Sequence, residues 1–248
     1  MKKYIAPLLE TTRGVFLLSS GLFVVGFILA AIMHGAMPTD MSTKALLGCI
    51  TVALSTAGLG HFVFDALWGK SRPHIYSWLI WTVVNAIVWL NQWSHNAGPG
   101  AWSTFMMMVL SGVIFVIALW QWRMGTADHR LTTMDQWCLG GAVVSIAFLI
   151  TFETGPISIL AATMTDGLAY LSTYRKIWSH PQSEPASNYA LNTVRQGIVI
   201  LAIGSYNFVT LVFPVSLIFL NLVTVAMIYV RIRQLAEKRA VVSSPAEA

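Results

Sequence analysis

Charge is scarce in this chain: Asp, Glu, Lys and Arg together make up 10% of its 248 residues, against 56% hydrophobic residues. A soluble domain carries about a quarter of its residues charged, so this composition excludes an ordinary water-soluble globule. Cysteine is almost missing too, with two copies, Cys49 and Cys138. They fall toward opposite faces of the apolar segments described below, which excludes a disulfide between them, and the chain has no redox or metal signature. His61 stands alone at its depth, so a haem held by two histidines is excluded. The last two apolar segments contain no lysine, which excludes a retinal Schiff base. No nucleophile, base and orienting third group occur together at one depth, so enzyme chemistry is not expected, and no cofactor is expected either.

Long apolar runs fill most of the chain. Eight are read as spans, at roughly 14–35, 44–68, 76–92, 102–122, 135–152, 156–176, 188–204 and 207–231, each near the ~20 residues that a hydrocarbon core of ~30 Å demands of a helix. The third, fifth and seventh are the short ones. The runs lack the alternating period of a membrane barrel, which leaves helices as the spanning form. The expected fold class is therefore an all-α membrane protein with eight transmembrane helices. The apolar run at 15–33 is too long for the core of a signal peptide and no small-residue cleavage site follows it, so it is expected to stay as the first span.

Basic residues mark one face. All but Lys44 and Arg195 of the 15 Lys and Arg lie in the N-terminal segment, in the gaps after the second, fourth and sixth spans, and in the C-terminal tail. With eight spans these five segments share one side, and the bias toward the cytoplasm places both termini there. The net charge of +5 follows from this bias and does not call for nucleic acid; the lipid bilayer is the expected partner. Trp68, Trp78, Trp120, Trp122, Trp137 and Trp178 fall near the expected inner boundary and Trp89, Trp93 and Trp102 near the outer one, as membrane anchors do.

The chain also repeats itself. A shift of about 111 residues lays the second, third and fourth spans on the sixth, seventh and eighth. Asp65 to Trp81 (DALWGKSRPHIYSWLIW) then lies over Lys176 to Asn192 (KIWSHPQSEPASNYALN) without a gap. An even number of spans separates the copies, so the two groups run in the same direction, one of the known transporter designs. The expected organisation is a first three-helix repeat at 44–122, a linker helix at 135–152, a second repeat at 156–232 and a flexible tail at 235–248.

Three helices, one linker and three helices with basic, proline-containing inner loops resemble the SWEET and PQ-loop transporter superfamily, whose plan PnuC shares. SRPHIYSWLIW (Ser71 to Trp81) and TYRKIWSHPQSE (Thr173 to Glu184) are similar to a set of bacterial membrane proteins with that layout. The resemblance covers about 44–232 and leaves the first span as an extra. The second span has no proline before its basic loop, and Pro181-Gln182 sits in the loop after Tyr174-Arg175-Lys176, so the superfamily's proline hinges do not map onto these positions. The resemblance implies a small-solute carrier in a bacterial inner membrane; by it, Asn221 on the third helix of its group is a solute contact.

Polar groups inside the spans are where function is expected, because an ionisable group in lipid costs several kcal/mol unless it is paired or faces water. Asp166 and Arg195 lie roughly 14 and 10 Å from the inner surface at 1.5 Å per residue, a depth at which they can pair. The pair could line a solute pocket, exchange a proton, or lock two helices together. Asn188, Asn192 and Arg195 share one helix face, with Gln196 beside it. The repeat relates Asn192 to Trp81, Gln196 to Asn85 and Tyr189 to Trp78, and amides with aromatics on two related faces suit a polar ring or sugar. The expected substrate-binding set is Trp81, Asn85, Asp166, Asn192, Arg195, Gln196 and Asn221. Pro73, Glu184 and Pro214 are the expected gating or hinge residues. Met106, Met107 and Met108 are read as packing residues. Two functions stay open: a carrier for a small polar organic solute such as a sugar or vitamin, working by alternating access between two bundles, or a non-transporting receptor or scaffold on the same frame. Either could assemble as a homo-oligomer.

Overall fold

The computed structural model describes Ile28 and residues 42–125, 131–183 and 185–243. Apart from Ile28 the expected first span lies outside them, as does Glu184. The described residues are mainly helical, with no strand among them: α1 (Thr43–Leu67), α2 (Ile75–Ser94), α3 (Trp102–Arg123), α4 (Thr133–Phe152), α5 (Pro156–Ser179), α6 (Ala186–Ala202) and α7 (Phe208–Ser243). Short 3-10 turns at Gly98–Ala101 and Pro181–Ser183 lead into α3 and out of α5.

Local chemistry sets the ends of these helices. The Ser42 side chain accepts from the Ala45 N–H at the start of α1. Thr132 and Asp135 cap α4 reciprocally, the Asp135 N–H donating to Thr132 Oγ1 and the Thr132 N–H to Asp135 Oδ2, the arrangement of a capping box. Pro156 occupies the first turn of α5, where a missing N–H costs nothing. Asn207 and Thr210 cap α7 in the same reciprocal way, each side chain accepting the other's N–H at 3.1 Å. Along the helices, Thr56, Thr82, Thr163, Thr165, Thr193 and Thr224 each donate a hydroxyl to the carbonyl four residues back, which satisfies them without a neighbour in an apolar setting.

Four segments are long and apolar enough to cross a bilayer: α1, the 3-10 turn with α3 (Gly98–Arg123), α4, and Phe208–Leu235 of α7. They point to a membrane protein. The expectation of eight spans does not carry over. α6 has only 17 residues, α2 carries Asn85, Asn91 and Gln92, and α5 carries Asp166 with Arg175 and Lys176 near its end. These polar groups lower the apolar content of α2 and α5 below that of a free-standing span. α7 continues as helix to Ser243, so the segment read as a tail from 235 is helical that far.

The packing order is regular. α3 packs against both α1 and α2, and α7 against both α5 and α6. Between the two groups, α1 meets α6 and α2 meets α5, while α4 lies on α5 and α2. The largest apolar core joins Ile80, Val84, Ile87 and Val88 of α2 to Ile159 and Ala162 of α5 and to Val209, Phe213 and Leu217 of α7, with Cys138 of α4 at its edge. A second packs Ala45, Cys49 and Val52 of α1 on Trp102 and Met106 of α3. Outward-facing residues are as apolar as the core: Ile150 is 75% exposed and Phe219 66%, a surface suited to lipid and not to water.

Candidate functional site

Two polar clusters sit inside this bundle, and the first is built around Arg195. Residues at i and i+3 share a helix face, and on α6 this turns the Asn192 side chain toward Arg195: Nε and Nη2 of the buried guanidinium both donate to Asn192 Oδ1, at 3.1 and 2.7 Å. The other arm crosses to the first group of helices. Arg195 Nη1 donates to Ser55 Oγ of α1 at 2.6 Å and to Ser103 Oγ of α3 at 3.3 Å. The two hydroxyls are 3.0 Å apart and share a hydrogen bond. Every partner is neutral. Among the described residues no carboxylate comes within ion-pairing distance of Arg195, so the expected pairing of Asp166 with Arg195 is not formed. The reason is topological: α7 packs between α5 and α6, and the side of α6 that carries Arg195 faces α1 and α3.

The second cluster lies on α5 and α7. Asp166, Tyr170 and Tyr174 follow one another at intervals of four on one face of α5. The Tyr170 hydroxyl donates to Asn221 Oδ1 at 3.2 Å, and Asn221, fully buried, donates its amide to the Leu217 carbonyl at 2.6 Å. The Tyr174 hydroxyl donates to the Leu220 carbonyl at 3.1 Å, and the two tyrosine rings lie 6.0 Å apart. Asp166 is half-buried and has neither hydrogen bond nor ion pair among the described residues. Its direction follows from helix geometry: Met164 is 69% exposed, with Leu160 and Leu171 also outward, and at about 100° per residue Asp166 stands opposite that stripe. Its carboxylate faces the bundle interior.

Among the described residues, the other sequence-predicted ones do not join them by hydrogen bonds. Asn85 donates its amide to the Trp81 carbonyl of its own helix at 2.8 Å. Trp81 is 37% exposed and stands edge-on to Trp78 with ring centroids 5.0 Å apart. Gln196 is buried beside Arg195. Pro73 is buried in the link between α1 and α2, and Pro214 is buried inside α7, where its missing N–H leaves the Thr210 carbonyl without its helical donor. His61 places Nδ1 3.3 Å from the Ala57 carbonyl of its own helix.

Sequence reasoning missed Ser55, Ser103 and Tyr170, as well as Asn91. Asn91 Oδ1 accepts from the Gly155 N–H at 2.7 Å and the Ser158 hydroxyl at 2.8 Å, while its amide donates to the Ile87 carbonyl. It therefore fastens α2 to the start of α5. The adjacent Gln92 accepts from Thr104 Oγ1 at 2.9 Å and ties α2 to α3. Two successive amides within an apolar helix were the available signal.

One end of the bundle is stitched across the two groups. Lys44 Nζ donates to the Ile203 carbonyl at 2.7 Å and the Gly204 carbonyl at 3.3 Å, and lies 5.3 Å from the Tyr206 ring centroid. The Gly204 N–H donates to the Ala97 carbonyl at 2.8 Å and the Ser205 N–H to the Asn96 carbonyl at 3.0 Å. Glycine is required for this approach: a Cβ at Gly204 would come 2.9 Å from the Asn96 oxygen, and one at Gly100 2.7 Å from an Ile203 side-chain carbon. At the opposite end the bonds close each group on itself. Gln121 of α3 donates to the Ala66 carbonyl at 2.7 Å, and Arg231 of α7 donates to the Trp178 carbonyl at 3.1 and 2.9 Å with its guanidinium 4.2 Å from that ring. The third helix of each group thus grips the last turn of its first helix.

Comparison with protein-family models, with curated proteins and with solved structures gives no match.

Proposed function

We propose that this chain is a membrane carrier for a small polar organic solute, working by alternating access between two three-helix groups. The observation that carries the reading is an asymmetry. The loop from α2 to α3 and the loop from α6 to α7, equivalent under the repeat, are bonded to one another at one end, while the charged and amide side chains of Arg195, Asn192, Asp166 and Asn221 lie further in. A carrier closed on one side of its solute site has this form. The matching order of contacts in the two groups, α3 between α1 and α2 and α7 between α5 and α6, supports the arrangement of two parallel bundles with α4 as the linker, and agrees with the resemblance to SWEET and PQ-loop carriers. On this reading the shorter, more polar helices cross the membrane inside the bundle, both termini are cytoplasmic, the stitched end faces outward, and the membrane is a bacterial inner membrane.

The test is a reversible lock. With Asn96→Cys and Ser205→Cys introduced together, oxidation should abolish uptake of the transported solute into proteoliposomes, and reduction should restore it. Uptake that continues unchanged in fully cross-linked protein would overturn alternating access at this seam.

A receptor or scaffold is the second reading, and a specific observation favours it: Arg195 and Asn221 already have partners on their own and neighbouring helices, as packing residues do. It predicts no uptake of any member of a panel of sugars, nucleosides, vitamins and amino acids.

A further inference from the structure

We infer that the ends of α5 and α7, opposite the stitched end of the bundle, form a seat for an anionic phospholipid, its phosphate taken by Arg175 and Arg231 beside Trp178 and an acyl chain lying along α5. The inference goes beyond the carrier reading and needs only that the chain lies in a membrane. α5 runs alongside α7: Tyr170 meets Asn221 and, further along both helices, Trp178 meets Arg231. Arg231 lies close to the end of the apolar segment Phe208–Leu235, which sets both arginines at a membrane boundary.

Arg231 is fixed in place and still has donors to offer. Its Nε and Nη2 donate to the Trp178 carbonyl at 3.1 and 2.9 Å, its Nη1 donates to Gln234 Oε1 at 2.8 Å, and the guanidinium lies 4.2 Å from the Trp178 ring centroid. A guanidinium has five N–H groups, so these three bonds leave two unused, and each partner is neutral. Arg175 stands one turn before Trp178 on the same face of α5. It is exposed, and its side chain makes no hydrogen bond or ion pair among the described residues. No acidic residue occurs on α5 after Asp166 or on α7 before Glu237. Two guanidinia thus stand beside one exposed indole, and the two helices leave their charge unanswered.

The outer surface of α5 leads to this point. At 100° per residue, Ile157, Leu160, Leu171, Arg175 and Trp178 all fall within about 40° of Met164 around the helix. The apolar members of this stripe are exposed, from 39% at Leu160 to 69% at Met164. Arg175 stands about 17 Å along the axis from Met164, close to half of a hydrocarbon core of ~30 Å. A phosphate at Arg175 therefore lays its acyl chain over Leu171 and Met164. Charge selects the headgroup: a zwitterionic lipid brings its own cation to the two arginines and an anionic one does not, a difference of about fivefold in affinity for each basic group at a membrane surface. An acidic peptide would answer the arginines and leave the apolar stripe uncovered.

The experiment titrates the full chain in non-ionic detergent with phosphatidylglycerol or phosphatidylcholine of identical acyl chains, and separately with inorganic phosphate, reading thermal unfolding and the lipid retained in native mass spectrometry. The expected result is at least tenfold tighter apparent affinity for phosphatidylglycerol, and no stabilisation by inorganic phosphate at the same concentration. Arg175→Gln, at an exposed position, should leave the lipid-free midpoint unchanged and bring the two lipids within threefold of each other, while Arg175→Lys keeps most of the preference. Arg123→Gln, at the end of α3, should leave the preference as it is. A preference that survives Arg175→Gln, or falls as far with Arg123→Gln, would mean diffuse attraction to the basic face and overturn the seat. Equal stabilisation by both lipids would overturn it as well, and stabilisation by inorganic phosphate alone would make this a free-anion site. A second copy of the chain retained in place of lipid would assign the face to self-association. None of these outcomes depends on uptake of a solute, so the carrier reading stands or falls separately.

Discussion

The guanidinium of Arg195 donates to the Ser55 hydroxyl at 2.6 Å across 140 residues of chain, and through it the second group of helices is tied to the first. Ser55 in turn donates to the Thr51 carbonyl of its own helix at 2.8 Å. The two serines lose little rotamer freedom in making this joint, whereas the long arginine side chain gives up more, so its hydrogen bonds must offset that cost.

Removing the acceptors while keeping the cation is the stringent test of this joint. Ser55→Ala with Ser103→Ala should destabilise the folded protein by about 1–3 kcal/mol, the cost of leaving charged donors unsatisfied. Thermal unfolding in detergent measures it. An unchanged midpoint would mean that the guanidinium finds other acceptors at no cost.

Asn91 should be as sensitive. Asn91→Leu is close in volume but removes the acceptor shared by the Gly155 N–H and the Ser158 hydroxyl, leaving them only their 3.1 Å bonds within the Gly155–Ser158 turn, and the loss of two interhelical hydrogen bonds should cost about 1–3 kcal/mol. Ser158→Ala removes one of those donors with the other still paired, so it should cost clearly less. Equal losses would contradict the assigned roles.

Glycine substitutions separate close approach from mere occupancy. Gly100→Ala brings a Cβ to 2.7 Å from the Ile203 side chain and 2.9 Å from its Cα; it should lower stability by about 1–3 kcal/mol, as overpacking does. Gly140→Ala, with nothing within 4 Å of the added atom, should be neutral or stabilise α4 by roughly 0.5–1 kcal/mol. The ordering of the two unfolding midpoints is the readout.

Lys44→Met keeps much of the side-chain volume and removes the donor to the Ile203 and Gly204 carbonyls. Amide exchange at Gly204 and Ser205, whose N–H groups are bonded to the facing loop, should then speed up several-fold, while amides in α4 stay as they are. Local opening of this kind is what hydrogen exchange reads.

The helices were largely legible because their ends are chemically marked. The run read as 102–122 is the helix Trp102–Arg123, and that read as 135–152 is Thr133–Phe152, the first opened by Gly98-Pro99-Gly100 and the second by Thr132 and Asp135. Where markers are weak the reading drifts: α6 starts and stops two residues before the run read as 188–204. The site was legible in part. Asn192 and Arg195 announce themselves by spacing, yet equal depth says nothing of azimuth, and an ion pair expected from depth alone fails because α6 turns Arg195 toward α1 and α3. Ser55 and Ser103 were invisible for a different reason. A serine in an apolar helix is as often bonded to its own backbone as to a neighbour, so nothing in the chain distinguishes the few that serve a distant partner.

Residues 96–97 and 204–205 meet through main-chain N–H and C=O groups, with one side-chain bond beside them from Asn207 Nδ2 to the His95 carbonyl at 3.3 Å. Side-chain identity at the exposed Ser205 is therefore free to drift while the seam persists, provided its amide is not lost to proline, whereas Ala97, fully buried, has room only for a small residue. Selection instead falls on what is absent, the Cβ at residues 100 and 204, and on Asn96, whose φ of +58° asparagine tolerates better than most residues. A saturation library across this seam should return a broad alphabet at 205, small residues at 97 and near-invariant glycine at 100 and 204.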